Sequence, residues 1–506
     1  MNILTLLEIA AGADGDRIAV GDKRDGLSYA RLLELAGAFA ADRADSTEQA
    51  VLYGSTASAA FPIALFGSAW SGIPFAPISY RLADEPMRRL IEGRAPAILV
   101  ADGNVARVGA DVAGVSIVAP DALIASLGGG DHGGAVDVAP AEQDPEAPAV
   151  LLHTSGTTGT PKVAILRHRH LVSYVLGGTE LFSAGPDEAA LVSVPPYHIA
   201  GVAGLLTGLY SGRRIVQMPN FDEREWVRLV REQDITHAMV VPTMLARIVD
   251  VLTEDGQGLP SLRHLSYGGG RMPLPVVERA LELLPGVDFV NGYGLTETSS
   301  SIAVLGPRDH REALVSTDPV IKRRLGSVGQ PVPDVEIVVC DDDGRPVPAG
   351  ARGELWVRGA QVSGEYSGAS LLDADGWFRT KDGGWIDDGG YVYVEGRLDD
   401  VIVRGGENLS PGEIEDVIGE HPHVDDVVVY GVPDDRWGEV VVAAIVPSGD
   451  SPDGVVTDTV IREWVGARLR SSRVPAFVEF RADLPRNDMG KVLRRVLREQ
   501  FTAVTG

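Results

Sequence analysis

Cysteine and long apolar runs are scarce in this sequence, and both absences narrow its class. The single cysteine, Cys340, excludes an internal disulfide and is typical of a reducing compartment, so we expect a cytoplasmic location. The uncharged stretch Ser55 to Tyr80 contains three prolines, which break any helix long enough to span a bilayer. We predict a buried helix at Phe61 to Ser71, followed by a core strand, and no membrane insertion. The first residues also lack the basic region of a signal peptide.

Positive charge is also in short supply. The chain has 45 Lys and Arg against 71 Asp and Glu, a formal charge of −26, which argues against a nucleic acid or an anionic membrane as partner. The stretch from Arg462 to Arg498 is an exception, because ten basic residues there face four acidic ones, a local excess of +6. This excess indicates either a contact for a phosphate-bearing ligand or the solvated face of a basic amphipathic helix.

The length of 506 residues exceeds one typical hydrophobic core and predicts two or more domains. The middle of the chain alternates strand-forming runs with helical patterns, which is typical of an α/β fold with a parallel sheet and covering helices. In this part we predict strands at Ala190–Val194, Ile215–Met218, Ala238–Val241 and Val287–Val290, and helices at Glu223–Gln233, Thr243–Leu252 and Leu274–Leu284. The region from Asp334 to Gly390 is rich in Gly, Asp and Pro. It favours turns and antiparallel strands such as Glu336 to Val339 and Glu354 to Val357.

A flexible loop rich in hydroxyl groups follows the apolar run Ala149 to Leu152. Glycines there let backbone N–H groups turn toward an anion, the hydroxyls add donors, and a lysine supplies positive charge. The candidate phosphate-binding residues are Thr154, Ser155, Gly156, Thr157, Thr158, Gly159 and Lys162. The spacing differs from the usual P-loop, since the glycines are too close and Val163 follows the lysine. The alternative is a polar surface turn.

Three further groups follow a strand or a turn. Gly268, Gly269 and Gly270 would allow a flat ligand to approach the backbone, or would simply form a tight turn. The string Asn291-Gly292-Tyr293-Gly294-Leu295-Thr296-Glu297 places an aromatic ring, a hydroxyl and a carboxylate on one predicted turn.

Within that string, Tyr293 can stack on a base and Glu297 can hold Mg²⁺ through oxygen. Asp382 and Arg397 flank a predicted strand. Their carboxylate and guanidinium suit ribose hydroxyls and sugar or phosphate oxygens, although such a pair is more often a surface ion pair.

Six ordered motifs together resemble the adenylate-forming superfamily, which includes acyl-CoA and aryl-CoA synthetases, nonribosomal peptide adenylation domains and firefly luciferase. The resemblance is strongest to an acyl- or aryl-CoA ligase and extends over nearly the whole chain. The motifs are Thr154 to Lys162, Tyr293-Gly-Leu-Thr-Glu297, Gly396-Arg-Leu-Asp-Asp400, Arg404-Gly-Gly-Glu-Asn408, Gly412-Glu-Ile-Glu415 and Pro485-Arg-Asn-Asp-Met-Gly-Lys491.

The resemblance implies a fold and a reaction. The implied fold has a large N-terminal domain of parallel-rich α/β sheets plus a small antiparallel barrel, residues 1–398, and a small mobile α+β C-terminal domain, residues 399–506. In the implied reaction a carboxylate attacks the α-phosphate of MgATP, giving acyl-AMP and pyrophosphate, and the thiol of coenzyme A then takes the acyl group.

The resemblance also implies roles for individual residues. The loop from Ser155 to Gly159 would hold the β- and γ-phosphates, Tyr293 the adenine, Asp382 and Arg397 the ribose, and Glu297, beside Thr296, the Mg²⁺. Lys491 would bridge the attacking carboxylate and the α-phosphate. Asp399 would be the hinge of the small domain, and Arg404, Gly405 and Gly406 would form the acceptor loop.

Two positions depart from the family pattern, and the substrate is only partly indicated. Lys381 stands where many members have glycine, and Gly270-Arg271 replaces a more usual Ala-Pro. We expect Arg271 to meet a neighbouring carboxylate rather than a second acid group of the substrate. His198 matches the position beside the substrate carboxylate, with a packed core histidine as the alternative. No Asp occurs from Pro195 to Asn220, which disfavours amino acids as substrates.

We expect pocket walls from Gly201 to Leu209 and from Val241 to Leu245, without a decision between fatty and aromatic acids. An acyl carrier protein is the alternative acceptor, and a non-catalytic nucleotide-binding regulator is the alternative function. The oligomeric state, including a homodimer, stays open.

Overall fold

The computed structural model describes residues 1–129, 139–154, 162–367, 369–405, 407–434, 436–449, 456–487 and 492–505. Its strands, in chain order, are β1 (Ile18–Val20), β2 (Leu27–Ser28), β3 (Ala50–Gly54), β4 (Phe75–Pro77), β5 (Ala97–Ala101), β6 (Val115–Val118), β7 (Pro148–Thr154), β8 (Lys162–Arg167), β9 (Ala189–Val192), β10 (Arg214–Gln217), β11 (His237–Val240), β12 (His264–Gly268), β13 (Asp288–Leu295), β14 (Ser300–Leu305), β15 (Gln330–Pro331), β16 (Val335–Cys340), β17 (Gly353–Gly359), β18 (Glu365–Tyr366), β19 (Ala369–Ser370), β20 (Phe378–Ile386), β21 (Val392–Arg397), β22 (Ile402–Arg404), β23 (Glu407–Leu409), β24 (Val424–Asp434), β25 (Gly438–Pro447) and β26 (Phe477–Phe480).

The helices cover the faces of these sheets. In chain order they are α1 (Ile3–Ala13), α2 (Tyr29–Ala41), α3 (Ala60–Ser71), α4 (Asp84–Glu92), α5 (Gly103–Gly109), α6 (Pro120–Gly129), α7 (His168–Gly178), α8 (Ile199–Tyr210), α9 (Glu223–Glu232), α10 (Pro242–Asp255), α11 (Leu274–Leu283), α12 (Pro307–Val315), α13 (Pro319–Arg323), α14 (Pro411–Gly419), α15 (Asp458–Gly466) and α16 (Arg494–Thr505). Short 3₁₀ turns lie at Thr296–Thr298, Arg324–Gly326, Leu398–Asp400 and Ser471–Arg473.

The predicted α/β class is confirmed. Two large sheets form the N-terminal part, a nine-stranded one in the order β15-β14-β13-β12-β11-β9-β10-β1-β2 and an eight-stranded one in the order β19-β18-β8-β7-β4-β3-β5-β6. The central strands of both sheets run parallel. Antiparallel strands lie at both edges of the nine-stranded sheet and at one edge of the eight-stranded sheet, whose other edge strand, β6, is parallel to β5. The antiparallel unit predicted from the turn-rich region is the four-stranded sheet β16-β17-β20-β21.

A smaller sheet lies in the C-terminal part of the chain. Its strands follow the order β23-β22-β25-β24, and β26 pairs in parallel with β25. Helices α14 and α15 pack on this sheet around Ile414 and Ile461, both fully buried. The 3₁₀ turn Leu398–Asp400 joins this part to the larger one.

Several helices lie close to the positions that local sequence patterns predicted. Helix α3 is apolar all round, is buried from Ala60 to Ala69, and ends where Gly72 adopts φ +70°, as the stretch Phe61 to Ser71 predicted. Helix α10 starts at Pro242 in the first turn and ends before Gly256, also left-handed. Among the described residues, no helix combines the length and the apolarity needed to cross a bilayer.

One local prediction was wrong in its element type. The string from Asn291 to Leu295 is not a turn but the second half of strand β13, because it pairs with the antiparallel strand β14 from Asn291 opposite Leu305 onward. The turn is confined to Thr296–Thr298. The side chains of this string are therefore held by a sheet rather than by a loop.

Candidate active site

A carboxylate held from two sides forms the centre of the site. The Tyr293 hydroxyl donates a 2.6 Å hydrogen bond to Oδ2 of Asp382. Arg397 donates from Nη1 to Oδ1 of Asp382 at 3.2 Å and to the carbonyl of Thr380 at 2.7 Å. Only 7% of the Asp382 side chain is exposed. The structure thus brings together three of the residues that the sequence assigned to a nucleotide.

Sheet register explains this convergence. Asp382 on β20 and Arg397 on β21 are direct antiparallel partners, so they share one face of the four-stranded sheet. Tyr293 reaches them from β13, whose register shifts immediately after this residue. Gly294 permits the shift, because a Cβ there would lie 1.8 Å from the Ser300 carbonyl oxygen. The site therefore lies where the nine-stranded sheet meets the antiparallel one.

The charges of this group support one another. Burial, followed by the neighbouring Asp382 carboxylate, raises the pKa of Tyr293 well above its usual value, so the phenol stays protonated and donates. Burial lowers the pKa of Arg397, but the attraction and hydrogen bond of Asp382, together with Glu297 and Tyr293, outweigh it, and the net shift is upward. The guanidinium is therefore a permanent cation beside the carboxylate.

The glycines at the end of β12 differ in whether the sheet itself requires them. Gly268 and Gly292 are register partners on β12 and β13, and a Cβ on Gly268 would lie 2.2 Å from the Gly292 carbonyl oxygen. Beyond them, Gly269 has φ +80°, and the Cβ position of Gly270 meets only Pro242 at an ordinary 3.7 Å. Backbone approach is thus open near Gly270, while Gly268 is required by the sheet.

The Asn291 side chain serves the fold. Its amide Nδ2 donates to the carbonyl of Ser327 at 3.1 Å, which ties β13 to the turn that follows α13. This bond uses one N–H of the side-chain amide, and the contact of Asn291 with a nucleotide stays a prediction.

Lys381, a departure from the family pattern, adopts φ +61°, the left-handed region that favours glycine. Its backbone N–H donates to Oε1 of the buried Glu354 at 3.1 Å, and Arg379 forms an ion pair with the same carboxylate. This contact holds the unusual backbone conformation. The next residue, Asp382, keeps its place through a 3.0 Å bond from its N–H to Thr380 Oγ1.

Glu297 and Lys162 converge from different sheets. Glu297 lies in the 3₁₀ turn after β13, with Thr296 half-buried at the start of that turn. The Tyr366 hydroxyl donates to Oε1 of Glu297. The Lys162 ammonium lies 5.8 Å from the centroid of the Tyr366 ring. The candidate metal ligand and the candidate phosphate-binding lysine therefore both contact one tyrosine, Tyr366, to which none of the motifs assigned a role although Gly364 and Glu365 precede it directly.

The chemistry of these donors fits Mg²⁺. Among the described residues, no group of three or more His, Cys, Asp or Glu could hold a metal by itself. Mg²⁺ commonly takes only one or two protein carboxylates and completes its shell with water and substrate phosphates. The Glu297 carboxylate supplies oxygen, the ligand type that Mg²⁺ prefers, so the residues present fit such a nucleotide-bound ion.

His198 is part of an aromatic cluster. It directly precedes α8, its ring centroid lies 4.6 Å from that of Tyr197, and Tyr80 meets Tyr197 edge-on at 5.3 Å. His198 is partly buried, and Tyr197 is buried. Most α8 side chains in the predicted pocket wall belong to the core, whereas Gly204 and Thr207 lie on a more accessible face.

Arg271 crosses to the C-terminal part of the chain. Its guanidinium forms an ion pair with Asp416 on α14, which agrees with the expected neighbouring carboxylate. Partial burial raises the pKa of Asp416 by more than the neighbouring Arg271 guanidinium lowers it. A Cβ on Gly412 would lie 2.2 Å from Nη1 of Arg271, so the first turn of α14 packs directly on this arginine.

The predicted acceptor loop meets an exposed tryptophan. Arg404 donates from Nη1 to the Ser472 carbonyl at 2.6 Å, and the Gly405 N–H donates to the Trp437 carbonyl at 2.7 Å. The guanidiniums of Arg404 and Arg436 lie 5.4 and 5.3 Å from the Trp437 ring centroid. Trp437 is 42% exposed. The available sequence signal was a large aromatic residue in a charged hairpin turn.

Several predicted residues lie outside the described part of the chain. These are Ser155, Gly156, Thr157, Thr158, Gly159, Gly406 and Lys491, and the Thr154 side chain is likewise not described. Their flanks are placed, since Thr154 pairs with Lys162 and Arg486 bridges to Val492. Asp399 lies in the 3₁₀ turn between β21 and β22. The roles of all these residues stay predictions.

The two large sheets, the antiparallel unit and the smaller C-terminal sheet form the mixed α/β architecture of adenylate-forming enzymes. Family comparison agrees, because residues 7–367 match the AMP-binding enzyme family and residues 413–491 match its C-terminal domain. The chain belongs to the AMP-binding enzyme family.

Individual relatives resemble most of the chain. A fatty acid–[acyl-carrier-protein] ligase, ScoC, of Streptomyces coeruleorubidus is 34% identical over 459 residues, covering 86% of this chain and 84% of the relative. An indoleacetate–CoA ligase of Aromatoleum aromaticum is 31% identical over 525 aligned residues, covering 99% and 98%. The crystal structure of ATP-bound MatB from Rhodopseudomonas palustris superposes with a TM-score of 0.86 at 26% identity over all of both chains.

Proposed function

We propose that this AMP-forming acid–CoA ligase activates an apolar monocarboxylic acid with MgATP and transfers the acyl group to the thiol of coenzyme A. One observation carries the proposal. The buried Asp382 carboxylate, held by Tyr293 and Arg397, lies in the same region as Glu297 and Lys162. Glu297 is close enough to Arg397 to raise the pKa of that arginine, although by less than Asp382 does. This arrangement supports a nucleoside site beside a phosphate–metal site.

The nucleoside would be held by the central group. A carboxylate has about four lone-pair sites, so Asp382 can accept ribose hydroxyls while it keeps its bonds to Tyr293 and Arg397. The Tyr293 ring offers a face for the adenine, and its hydroxyl is tied down, which fixes the ring plane. Arg397 balances the negative charge of Asp382 at this end of the ligand.

The phosphates would lie toward Glu297 and Lys162. When bound, Mg²⁺ neutralises charge on the phosphate oxygens and orients them. Glu297 would hold that ion with Thr296 beside it, and the Lys162 ammonium would face the β- and γ-phosphates together with the loop from Ser155 to Gly159. Lys491 would donate to the attacking carboxylate and the α-phosphate. Catalysis then rests on positioning and neutralising charge, as nucleotidyl transfer requires.

The division of labour between the two parts of the chain belongs to the same proposal. Residues 1–398 would bind ATP and the acid, and residues 399–506 would supply Lys491 and the acceptor loop. Asp399 is the proposed hinge, and its position in a short 3₁₀ turn between two sheets supports this role. The buried free Cys340 supports a cytoplasmic location.

An apolar acid is favoured over an amino acid. The segment from Pro195 to Asn220 has no Asp that could pair with an α-ammonium, and the face of α8 that includes Gly204 and Thr207 carries no charge. Burying an unpaired ammonium costs several kcal/mol. Indoleacetate and a fatty acid, named for two relatives, are both apolar monocarboxylates.

Coenzyme A is favoured as the acceptor. The exposed Trp437 ring between two guanidiniums, next to Gly405, suits the adenine and phosphates of a nucleotide-bearing thiol. A carrier-protein phosphopantetheine is the second candidate, because one relative is named for it.

A two-stage assay tests the proposal. Acid-dependent pyrophosphate release is measured for a panel of fatty, aromatic and amino acids, and the best acid is then tested with free coenzyme A and with a phosphopantetheinylated carrier protein. We expect apolar acids to exceed amino acids by at least about tenfold, the ratio that 1.4 kcal/mol gives. Comparable turnover of an amino acid would overturn the substrate class, and transfer only to the carrier protein would overturn the acceptor.

A further inference from the structure

Tyr366 contacts both Glu297 and Lys162. Its hydroxyl donates to Oε1 of Glu297, and its ring lies 5.8 Å from the Lys162 ammonium. Tyr366 belongs to the short strand β18 and was assigned no role by the motifs. Its position between the candidate metal ligand and the candidate phosphate-binding lysine calls for an explanation.

The backbone around Tyr366 is tied to both partners. The N–H groups of Ser363 and Gly364 donate to the Glu297 carbonyl at 2.8 and 3.1 Å. Tyr366 itself pairs with Ala164 on β8, the strand that begins at Lys162. The segment before β18 therefore fixes the distance between the turn that carries Glu297 and the strand that carries Lys162.

We propose that Tyr366 is a positioning residue, whose hydroxyl orients the Glu297 carboxylate toward the Mg²⁺ that accompanies ATP. This role rests on the proposed function. A glutamate side chain rotates broadly about its last torsion, and a donor on one oxygen restricts that rotation while the carboxylate keeps lone pairs for a metal. Hydrogen-bonding partners of metal ligands commonly change metal affinity by 10–100-fold.

The substitution Tyr366→Phe isolates the hydroxyl. It keeps the ring beside Lys162 and removes only the donor to Glu297. A matched control exists in the same protein, because the Tyr391 hydroxyl donates to Oδ1 of Asp309 at 2.6 Å far from these motifs. Tyr391→Phe removes a tyrosine–carboxylate bond of the same kind without touching the site.

The test measures ATP binding by calorimetry at a series of Mg²⁺ concentrations and in EDTA. For Tyr366→Phe we expect the Mg²⁺-dependent gain in ATP affinity to fall about tenfold, with binding in EDTA within about twofold of wild type. Tyr391→Phe should keep the full gain. In the background Glu297→Gln, adding Tyr366→Phe should change the gain by less than about twofold, since the tyrosine acts through Glu297.

An unchanged Mg²⁺-dependent gain in Tyr366→Phe would overturn the proposal, and so would equal losses in Tyr366→Phe and Tyr391→Phe or additive losses in the double variant. If Tyr366→Phe unfolds, Tyr366→Met, which also lacks the donor, replaces it in the same comparison. Pyrophosphate release by the wild-type protein distinguishes failure of the proposed function from failure of the role proposed for Tyr366. Its absence with every acid would refute the proposed reaction, whereas the calorimetric result alone decides the role of Tyr366.

Discussion

The hydroxyl of Tyr293 and the carboxylate of Asp382, 89 residues apart in the sequence, lie 2.6 Å apart. The bond joins the residue proposed to stack on adenine to the residue proposed to hold ribose, so the two contacts of one nucleoside are mechanically coupled. Arg397 completes the group from the opposite oxygen. Pre-organisation of this kind reduces the ordering cost of binding.

Tyr293→Phe should therefore weaken ATP binding without removing the stacking face. A hydrogen bond to a charged group is worth about 1.5–3 kcal/mol, so we expect the KM for ATP to rise by about tenfold or more. The value of kcat should stay within a few-fold, because the reacting phosphates lie elsewhere. Steady-state kinetics with ATP as the varied substrate measure both, and a fall in kcat at unchanged KM would contradict the assignment.

Lys491→Ala should separate the two half-reactions. Removing a donor that acts chiefly in the transition state costs about 10²–10³ in rate, which is the expected loss of acid-dependent pyrophosphate release. Thioester formation from synthetic acyl-adenylate and coenzyme A should stay within several-fold of wild type. Equal slowing of both steps, or of neither, would count against the assignment.

The control for that experiment is Arg495→Ala. Arg495 is 72% exposed and forms an ion pair with Glu499 one turn away. Arg494 is unsuitable, because it forms an ion pair with Glu415 and donates to the Val429 carbonyl at 3.0 Å. Its removal would disturb the packing of α16 rather than test charge.

The ion pair between Arg271 and Asp416 should bias the position of the C-terminal part. Both side chains are about half exposed, at 43% and 57%, so the pair contributes at most about 1 kcal/mol to the free energy of unfolding. The same energy changes a two-state population about fivefold. Arg271→Ala and Asp416→Ala should each speed limited proteolysis near residues 398–411 by up to about that factor.

A double charge reversal, Arg271→Asp with Asp416→Arg, tests the pair rather than the single residues. It should restore a proteolysis rate close to that of wild type. A rate that stays as high as in the single variants would show that the contact does not set the arrangement.

Buried histidines on α7 should make the protein sensitive to mild acid. Burial lowers the pKa of His168 to about 4 and that of His170 to about 3, and each imidazole accepts a backbone N–H through Nδ1. The unfolded chain binds these protons near pH 6.5, so this stability is present in full above that pH. It is lost as pH falls toward the folded-state values, at about 1.4 kcal/mol per pH unit for each histidine.

His170→Gln should flatten this dependence, because glutamine can still cap the helix at this position but does not titrate. Urea unfolding at pH 7.5, 6 and 5 measures the slope. The same slope in His170→Gln as in wild type would contradict the assignment.

Local patterns in the sequence predicted the helices well. The predicted span Glu223 to Gln233 became α9, Glu223–Glu232, because Asp222 caps its first turn through the Glu225 N–H and apolar residues repeat along one face. The prediction of a turn for the string before Glu297 was wrong. Its glycines allow neighbouring strands to approach closely and allow a bulge in β13, and both features depend on the pairing with β14. Lys381 was flagged as an unusual residue, but its left-handed backbone and its bond to Glu354 could not be inferred.

The sequence by itself determined the family, the alternation of strands and helices, and the chemical types of the site residues, because motifs and periodicity are encoded over short stretches of chain. Only the tertiary structure decided which of these residues meet. Tyr366 reaches Glu297 across 69 residues and Arg271 reaches Asp416 across 145, and neither pairing follows from local spacing. Such contacts depend on the order and register of strands in different sheets. That order and register are set cooperatively, when the whole core becomes buried.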